Sequence, residues 1–299
     1  MTIELRSQDG ARAVISAFGA NCIELALPHR DADGPVRLIG PVETSMLRSE
    51  PTRHGCPILF PFPGFVRNGR YAWLGRDHQL SDAAGRPHYA HGFAHRRTWT
   101  AMSTSSDRLE LALDTDEGSE PGYPFALASR ATFRLESRGL SITLRVRNIG
   151  RDPAPVGLGF HPYFETAPLG VGRDGIVAYI AGRRRYDLPD GFPTESCTGQ
   201  PVGTGLPGRE GTLLLGVSDL TTAQPVTSLR SEQTQRAILV RHGATTTDVV
   251  LWAPQDRECV SLEPLTCPLS VGSLLPGASR SLSLEPGDSR SISMEIALQ

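Results

Sequence analysis

Two short segments carry proton-transfer chemistry in apolar surroundings. Cys259-Val260-Ser261-Leu262-Glu263-Pro264-Leu265-Thr266 reads as a short strand with a carboxylate near its end. Such a glutamate lies either on the solvent face of an edge strand or in the interior. Burial would disfavour its charged form and raise its pKa towards the range useful for a general base. Gly157-Leu158-Gly159-Phe160-His161-Pro162-Tyr163-Phe164 sets His161 between aromatics and before a proline, which favours extended backbone. An imidazole exchanges protons near neutral pH. The flanking Phe and Tyr faces suit the apolar face of a sugar ring.

Two further segments could wall a site. Tyr89-Ala90-His91-Gly92-Phe93-Ala94-His95 holds a glycine where the backbone can turn tightly or approach a ligand. His91 is there either a structural residue or a ligand contact. In Gly55-Cys56-Pro57-Ile58-Leu59-Phe60-Pro61-Phe62-Pro63-Gly64-Phe65, three prolines exclude a central strand. Arg67-Asn68-Gly69-Arg70 follows it.

Composition removes other chemistries. The 299 residues carry 30 basic and 32 acidic side chains, a formal charge of -2, and every basic one is arginine. Without lysine there is no Schiff base, no Gly-Lys-Ser/Thr phosphate loop and no kinase-type strand lysine. Near-neutral charge gives no nucleic-acid footprint. No run approaches about 18 apolar residues, so no membrane span is expected. The N-terminus lacks the apolar core of a signal peptide. Cys22, Cys56, Cys197, Cys259 and Cys267 form no Cys-x-x-Cys pair. They read as buried or incidental thiols of a reducing compartment, by default the cytoplasm.

The elements that must hold these residues are strands. Period-two alternation recurs at 14–18 and 22–27, 109–113, 131–135, 140–148, 281–285 and 291–296, bounded by turn formers. Residues 131–148 read as a hairpin closed at Ser137-Arg138-Gly139. There are 31 glycines and 24 prolines and no amphipathic helix beyond about two turns. This pattern predicts an all-β, antiparallel sandwich or barrel in one domain over 1–299. The stretch 195–211 reads as a long surface loop.

Taken in order, Pro-Ile-Leu-Phe-Pro-Phe-Pro (57–63), His-Gly-Phe (91–93), Gly-Phe-His-Pro-Tyr-Phe (159–164), Trp-x-Pro (252–254) and Glu-Pro-Leu-Thr (263–266) resemble the aldose 1-epimerase, or galactose mutarotase, superfamily. The resemblance covers roughly residues 10–295. Tyr-Pro-Phe at 123–125 agrees with it, as does the loop-like run at 185–194. It implies a large antiparallel β-sandwich of the galactose mutarotase-like supersandwich type. It also implies interconversion of the anomers of a small-molecule sugar without metal or organic cofactor, by a monomer or homodimer.

Carried over by residue, Glu263 matches the family's general base and His161 its general acid. His91 matches a histidine that hydrogen-bonds the sugar, and Asp219 loosely matches a substrate-binding aspartate. Many members carry Asn-Arg-Ile where this chain has Gly64-Phe65-Val66. The family arginine that binds sugar hydroxyls is thus absent from its usual place. Arg67 or Arg70 is near enough in sequence to replace it. Opening a hemiacetal needs one proton removed from the anomeric hydroxyl and one delivered to the ring oxygen. A carboxylate and an imidazole on opposite sides of the ring would do both. Two alternatives stand beside this reading. One is a hexose-6-phosphate 1-epimerase, with Arg67, Arg70, Arg96 and Arg97 as a phosphate clamp. The other is a non-catalytic carbohydrate-binding module on the same fold.

Overall fold

The alternation in the sequence becomes alternation of burial. Along Leu127–Glu136 and Gly139–Asn148, every second side chain is buried, and the two strands pair in a hairpin with Leu135 opposite Leu140. The C-terminal strand Ser289–Leu298 pairs with Gly139–Asn148 on its other side. These strands form the centre of a nine-stranded antiparallel sheet in this computed structural model. The structure describes residues 1–81, 85, 87–188, 192, 203–220, 226–255, 257–269 and 281–299, and 197–198 by their main chain.

A second, eight-stranded sheet carries the candidate site. Its strands run in the order Cys197–Thr198, Gly182–Asp187, Leu213–Leu220, Asp248–Ala253, Cys259–Leu265, Gly159–Phe160 and Ile58–Leu59, and Tyr163–Glu165 also pairs with Cys259–Leu265. Four N-terminal strands between Thr2 and Ile39 make a third sheet. One continuous apolar cluster joins all three, including Leu5, Ile15, Phe133, Ile142, Leu251 and Leu262. The antiparallel sandwich expected from the pattern is present. Each such side chain stabilises the fold by about 1.5–3 kcal/mol through burial. Truncating Phe133 to Ala would remove about 3–5 kcal/mol.

The Pro-rich segment sits where proline is tolerated. Ile58–Leu59 is an edge strand of the eight-stranded sheet. The segment then packs Phe60 against Phe93 and Trp99, and Phe62 against Tyr71 and Tyr123. The loop-like runs 185–194 and 195–211 lie partly outside the described residues. Within them, Thr204–Gly205 is a strand paired with Val177–Tyr179, contrary to a simple loop. Arg173 is buried and held without a carboxylate among the described residues. Its guanidinium donates to the carbonyls of Pro254, Arg257, Pro207, Gly208 and Gly211, so one side chain ties two loops together. Of the described cysteines, Cys22, Cys56, Cys259 and Cys267 are buried free thiols, and burial pushes Cys22 up to about 12. No described helix is long and apolar enough to cross a membrane.

Candidate active site

The strand Cys259–Leu265 is fully buried, so Glu263 belongs to the interior and not to an edge. On one side it pairs with Asp248–Ala253, with Val250 opposite Glu263 and Trp252 opposite Ser261. On the other side it meets two short strands in succession. Gly159 pairs with Leu265, and Tyr163 pairs with Ser261. The register is the same in both, which sets His161 opposite Glu263. His161-Pro162 lies at the break between the two short strands, as a proline lacking an amide proton allows. The His161 amide instead bonds the Pro57 carbonyl of the edge strand segment, N···O 3.1 Å.

Side chains of one face therefore form two cross-strand rows. Leu214, Trp252, Ser261 and Tyr163 make one, and Val250, Glu263 and His161 the other. Over them lies a cleft of about 290 Å³, closed at its sides by Phe65, His91, Leu269, Thr52, Arg53, Pro254 and Arg257. The cavity is at the small end of the range for small-molecule sites, and it is mostly apolar with a few convergent polar groups.

Nε2 of His161 is 3.3 Å from Oε1 of Glu263, with both side chains buried. The sequence reading set the pair on opposite sides of a ring, but the register brings them into contact on one wall. Nδ1 of His161 is 2.9 Å from Oγ of Ser261. The imidazole stacks on Tyr163, with ring centroids 4.7 Å apart, and the Tyr163 hydroxyl donates to the Thr52 carbonyl. Burial holds Glu263 well above the usual carboxylate range and His161 well below the usual imidazole range; the nearby His91 adds to the second effect.

His91 reaches the cleft through strained backbone. Its φ is +66°, followed by Gly92 at +70°. A side chain at Gly92 would run into the Phe60 carbonyl, so glycine is required there. The left-handed residue costs on the order of 1–3 kcal/mol. Two bonds hold it: the His91 amide donates to Gly64 O at 2.8 Å, and Nδ1–H donates to Pro63 O at 2.7 Å. The second bond fixes the proton on Nδ1. Gly64 is needed for the same wall, because a Cβ would overlap the Leu269 carbonyl that binds the Phe65 amide.

The other sequence candidates lie elsewhere. Asp219 is exposed and pairs with Arg184 at 3.1 Å. Its backbone is left-handed, with φ +54°, so the regular alternation of the strand is interrupted there, and it is not among the residues that line the cleft, whereas Leu214 of the same strand is. Arg67 is exposed, with its guanidinium 3.9 Å above the Phe192 ring; Phe192 in turn packs on Phe65, the residue that does line the cleft. Arg70 donates to Gln79, while Arg96 and Arg97 both pair with the buried Glu120 at 2.6 Å. These four form no clamp over the cleft. Arg53 and Arg257, which come from distant segments with no local pattern to mark them, stand at its rim instead. Ser261 was legible in principle, two residues from Glu263 on the same strand face. No group of three or more His, Cys, Asp or Glu side chains suited to a metal occurs among the described residues.

A family model described as aldose 1-epimerase matches residues 1–297. The uncharacterized protein YphB of Escherichia coli (strain K12) is 34% identical over 118 residues, 39% of this chain and 39% of that protein. YihR of the same strain, also uncharacterized, is 29% identical over 176 residues, 54% of this chain and 49% of that protein. The chain thus spans less than half the length of these curated relatives. A galactose mutarotase-like protein from Clostridium acetobutylicum has the same fold, with a TM-score of 0.84 at 18% identity over 100% of this chain and 95% of that one. Galactose 1-epimerase from Lactobacillus acidophilus gives a TM-score of 0.78 at 18% identity over 100% and 94%.

Proposed function

Because the chain belongs to the aldose 1-epimerase family, we propose that it interconverts the α and β anomers of an aldose, with Glu263 and His161 exchanging the protons. The observation that carries this reading is their contact at 3.3 Å on the wall of a small, largely apolar cleft. The anomeric hydroxyl and the ring oxygen of a pyranose are attached to the same carbon. An acid and a base that touch each other suit two oxygens that close together better than a pair across the ring.

In this reaction Glu263 takes the proton of the anomeric hydroxyl, and Nε2 of His161 gives one to the ring oxygen. The carbon–oxygen bond of the ring breaks and an aldehyde forms. Rotation about the first carbon–carbon bond presents the other face of the carbonyl, and the reverse proton transfers close the ring. No proton is gained or lost overall. Each positioned acid or base contributes on the order of 10²–10⁴ in rate. Trp252 on the cleft wall supplies an aromatic ring for the apolar side of the sugar, while the Tyr163 ring is stacked on His161 and lies under the Arg257 guanidinium. Polarimetry of a freshly dissolved single anomer, corrected for the buffer rate, tests the proposal. A panel of aldoses that all equilibrate at the buffer rate would reject it.

A second reading, a hexose-6-phosphate 1-epimerase, is favoured by Arg53 and Arg257 at the cleft rim. Arginine forks bind phosphate in a bidentate way. Comparing the equilibration of a free hexose with that of its 6-phosphate separates the two.

A further inference from the structure

We infer that Ser261 is a positioning residue whose hydroxyl accepts a hydrogen bond from Nδ1–H of His161 and donates one to the Glu263 carboxylate, so that only Nε2 of the imidazole exchanges protons. Its catalytic consequence rests on the acid–base reading above; its geometry does not.

Ser261 is fully buried, and its Oγ lies 2.9 Å from Nδ1 of His161. It stands two residues before Glu263 on one strand, so the pleat points both side chains to the same face. A hydroxyl has one proton and two lone pairs. If the proton is directed to Glu263, only lone pairs remain for Nδ1, and Nδ1 must carry the hydrogen. Consistent with that direction, the hydrogen bond from Ser261 works against burial to favour the ionised carboxylate. With Nδ1 fixed as the donor, Nε2 is the nitrogen that gains and loses a proton, and it is the one that faces Glu263.

The neighbours leave this assignment intact. His91, His95 and Arg257 act on the imidazole through their charge. Tyr163 stacks on it, with its hydroxyl 3.5 Å from Nε2, and also faces Glu263. The Cys56 thiol meets the His161 main chain. Ser261 is the side-chain partner of Nδ1, at 2.9 Å. In Ser261→Ala, Nδ1–H would lose that acceptor in a dry site, and the neutral ring would turn to the Nε2–H form, for which a Glu263 carboxyl oxygen remains as acceptor.

Long-range ¹⁵N–¹H correlation spectra of the full chain, with His161 assigned by its loss in His161→Asn, test this directly. We expect Nδ1 to stay protonated at every pH at which the chain is folded, with only Nε2 titrating. Ser261→Ala should move the major tautomer to Nε2–H, whereas Ser261→Thr, which keeps the hydroxyl, should not. In mutarotation, Ser261→Ala should lower kcat by about tenfold to a hundredfold, part of the roughly 10²–10⁴ of a general acid–base group, with KM changed less than twofold. Wild-type Nδ1 without its hydrogen would overturn the inference, as would an unchanged tautomer in Ser261→Ala. If Ser261→Ala does not fold, the wild-type titration decides alone. If the wild type equilibrates no aldose, the proposed function falls, while the nitrogen spectra still decide the role of Ser261.

Discussion

His161 and Glu263 are cross-strand neighbours, 102 positions apart in the chain and 3.3 Å apart at Nε2 and Oε1. The same alignment that pairs Gly159 with Leu265 and Tyr163 with Ser261 sets them opposite each other. The proposed acid–base pair is therefore positioned by neighbouring segments of one sheet.

Neutral replacements that keep shape should separate chemistry from folding. Glu263→Gln and His161→Asn are expected to lower kcat for mutarotation by about 10²–10⁴ each. The burial of Glu263 already favours its uncharged form, so Glu263→Gln should melt no lower than wild type at pH 7. Polarimetry and thermal unfolding check both points. Turnover near wild type in either variant would remove that residue from the mechanism.

The pair should give a broad pH plateau. Burial pushes the carboxyl up and the imidazole down, and a pair shifted far enough in these directions shares one proton across neutrality. Either order of proton exchange uses that singly protonated state. The acid limb of kcat/KM is expected below the ordinary imidazole value of about 6.5. Initial rates over a buffer series would refute the shared proton if the limb lies above it.

The rim arginines should respond to an anionic substrate alone. Arg257 lies 4.8 Å over the Tyr163 ring, and its Nη1 donates to the Arg53 carbonyl, which orients the remaining donors. Arg257→Leu is expected to raise KM about tenfold for a hexose 6-phosphate, the loss of one charged hydrogen bond of roughly 1.5 kcal/mol. The free hexose should change less than twofold. Equal KM values for variant and wild type on the phosphate would leave this arginine a solvated rim residue.

Asp219 and Arg67 should be silent in catalysis. Asp219 and Arg184 are each more than half exposed, so their ion pair is worth at most about 1 kcal/mol. Asp219→Ala and Arg67→Ala are expected to keep KM within twofold of wild type across a panel of aldoses. A larger rise for either would mean that it reaches the sugar.

Asp248 supplies a pH-dependent cost to stability. Burial pushes its carboxyl up to about 6, although the hydroxyls of Thr247 and Tyr186 both donate to it. The folded chain then holds a proton that the unfolded chain releases from about pH 4. Stability is greatest below the unfolded value and falls as pH rises to about 6, by on the order of 3 kcal/mol. Relative to wild type, Asp248→Asn should therefore gain stability between pH 4 and pH 7. Denaturant unfolding at both pH values checks this, and a constant difference would exclude a raised Asp248.

Part of this was legible in residue types and local spacing. Alternation with period two follows from the pleat and needs no partner strand, so the all-β class and the hairpin at 131–148 were readable directly. Glu263 and His161 stood out because an acid and an imidazole in apolar runs carry a desolvation cost that few roles offset. The apolar residues around Glu263 also hinted at burial.

Tertiary structure decided everything that depends on register between distant strands. It turned Glu263 inward by placing its strand in mid-sheet, and it set His161 opposite. It left Asp219 paired with Arg184 outside the cleft, while Leu214 of the same strand lines the wall. It brought Arg53 and Arg257 to one rim although more than 200 residues separate them. Sequence specifies which groups can exchange a proton; only the fixed spacing of paired strands brings them within reach of each other.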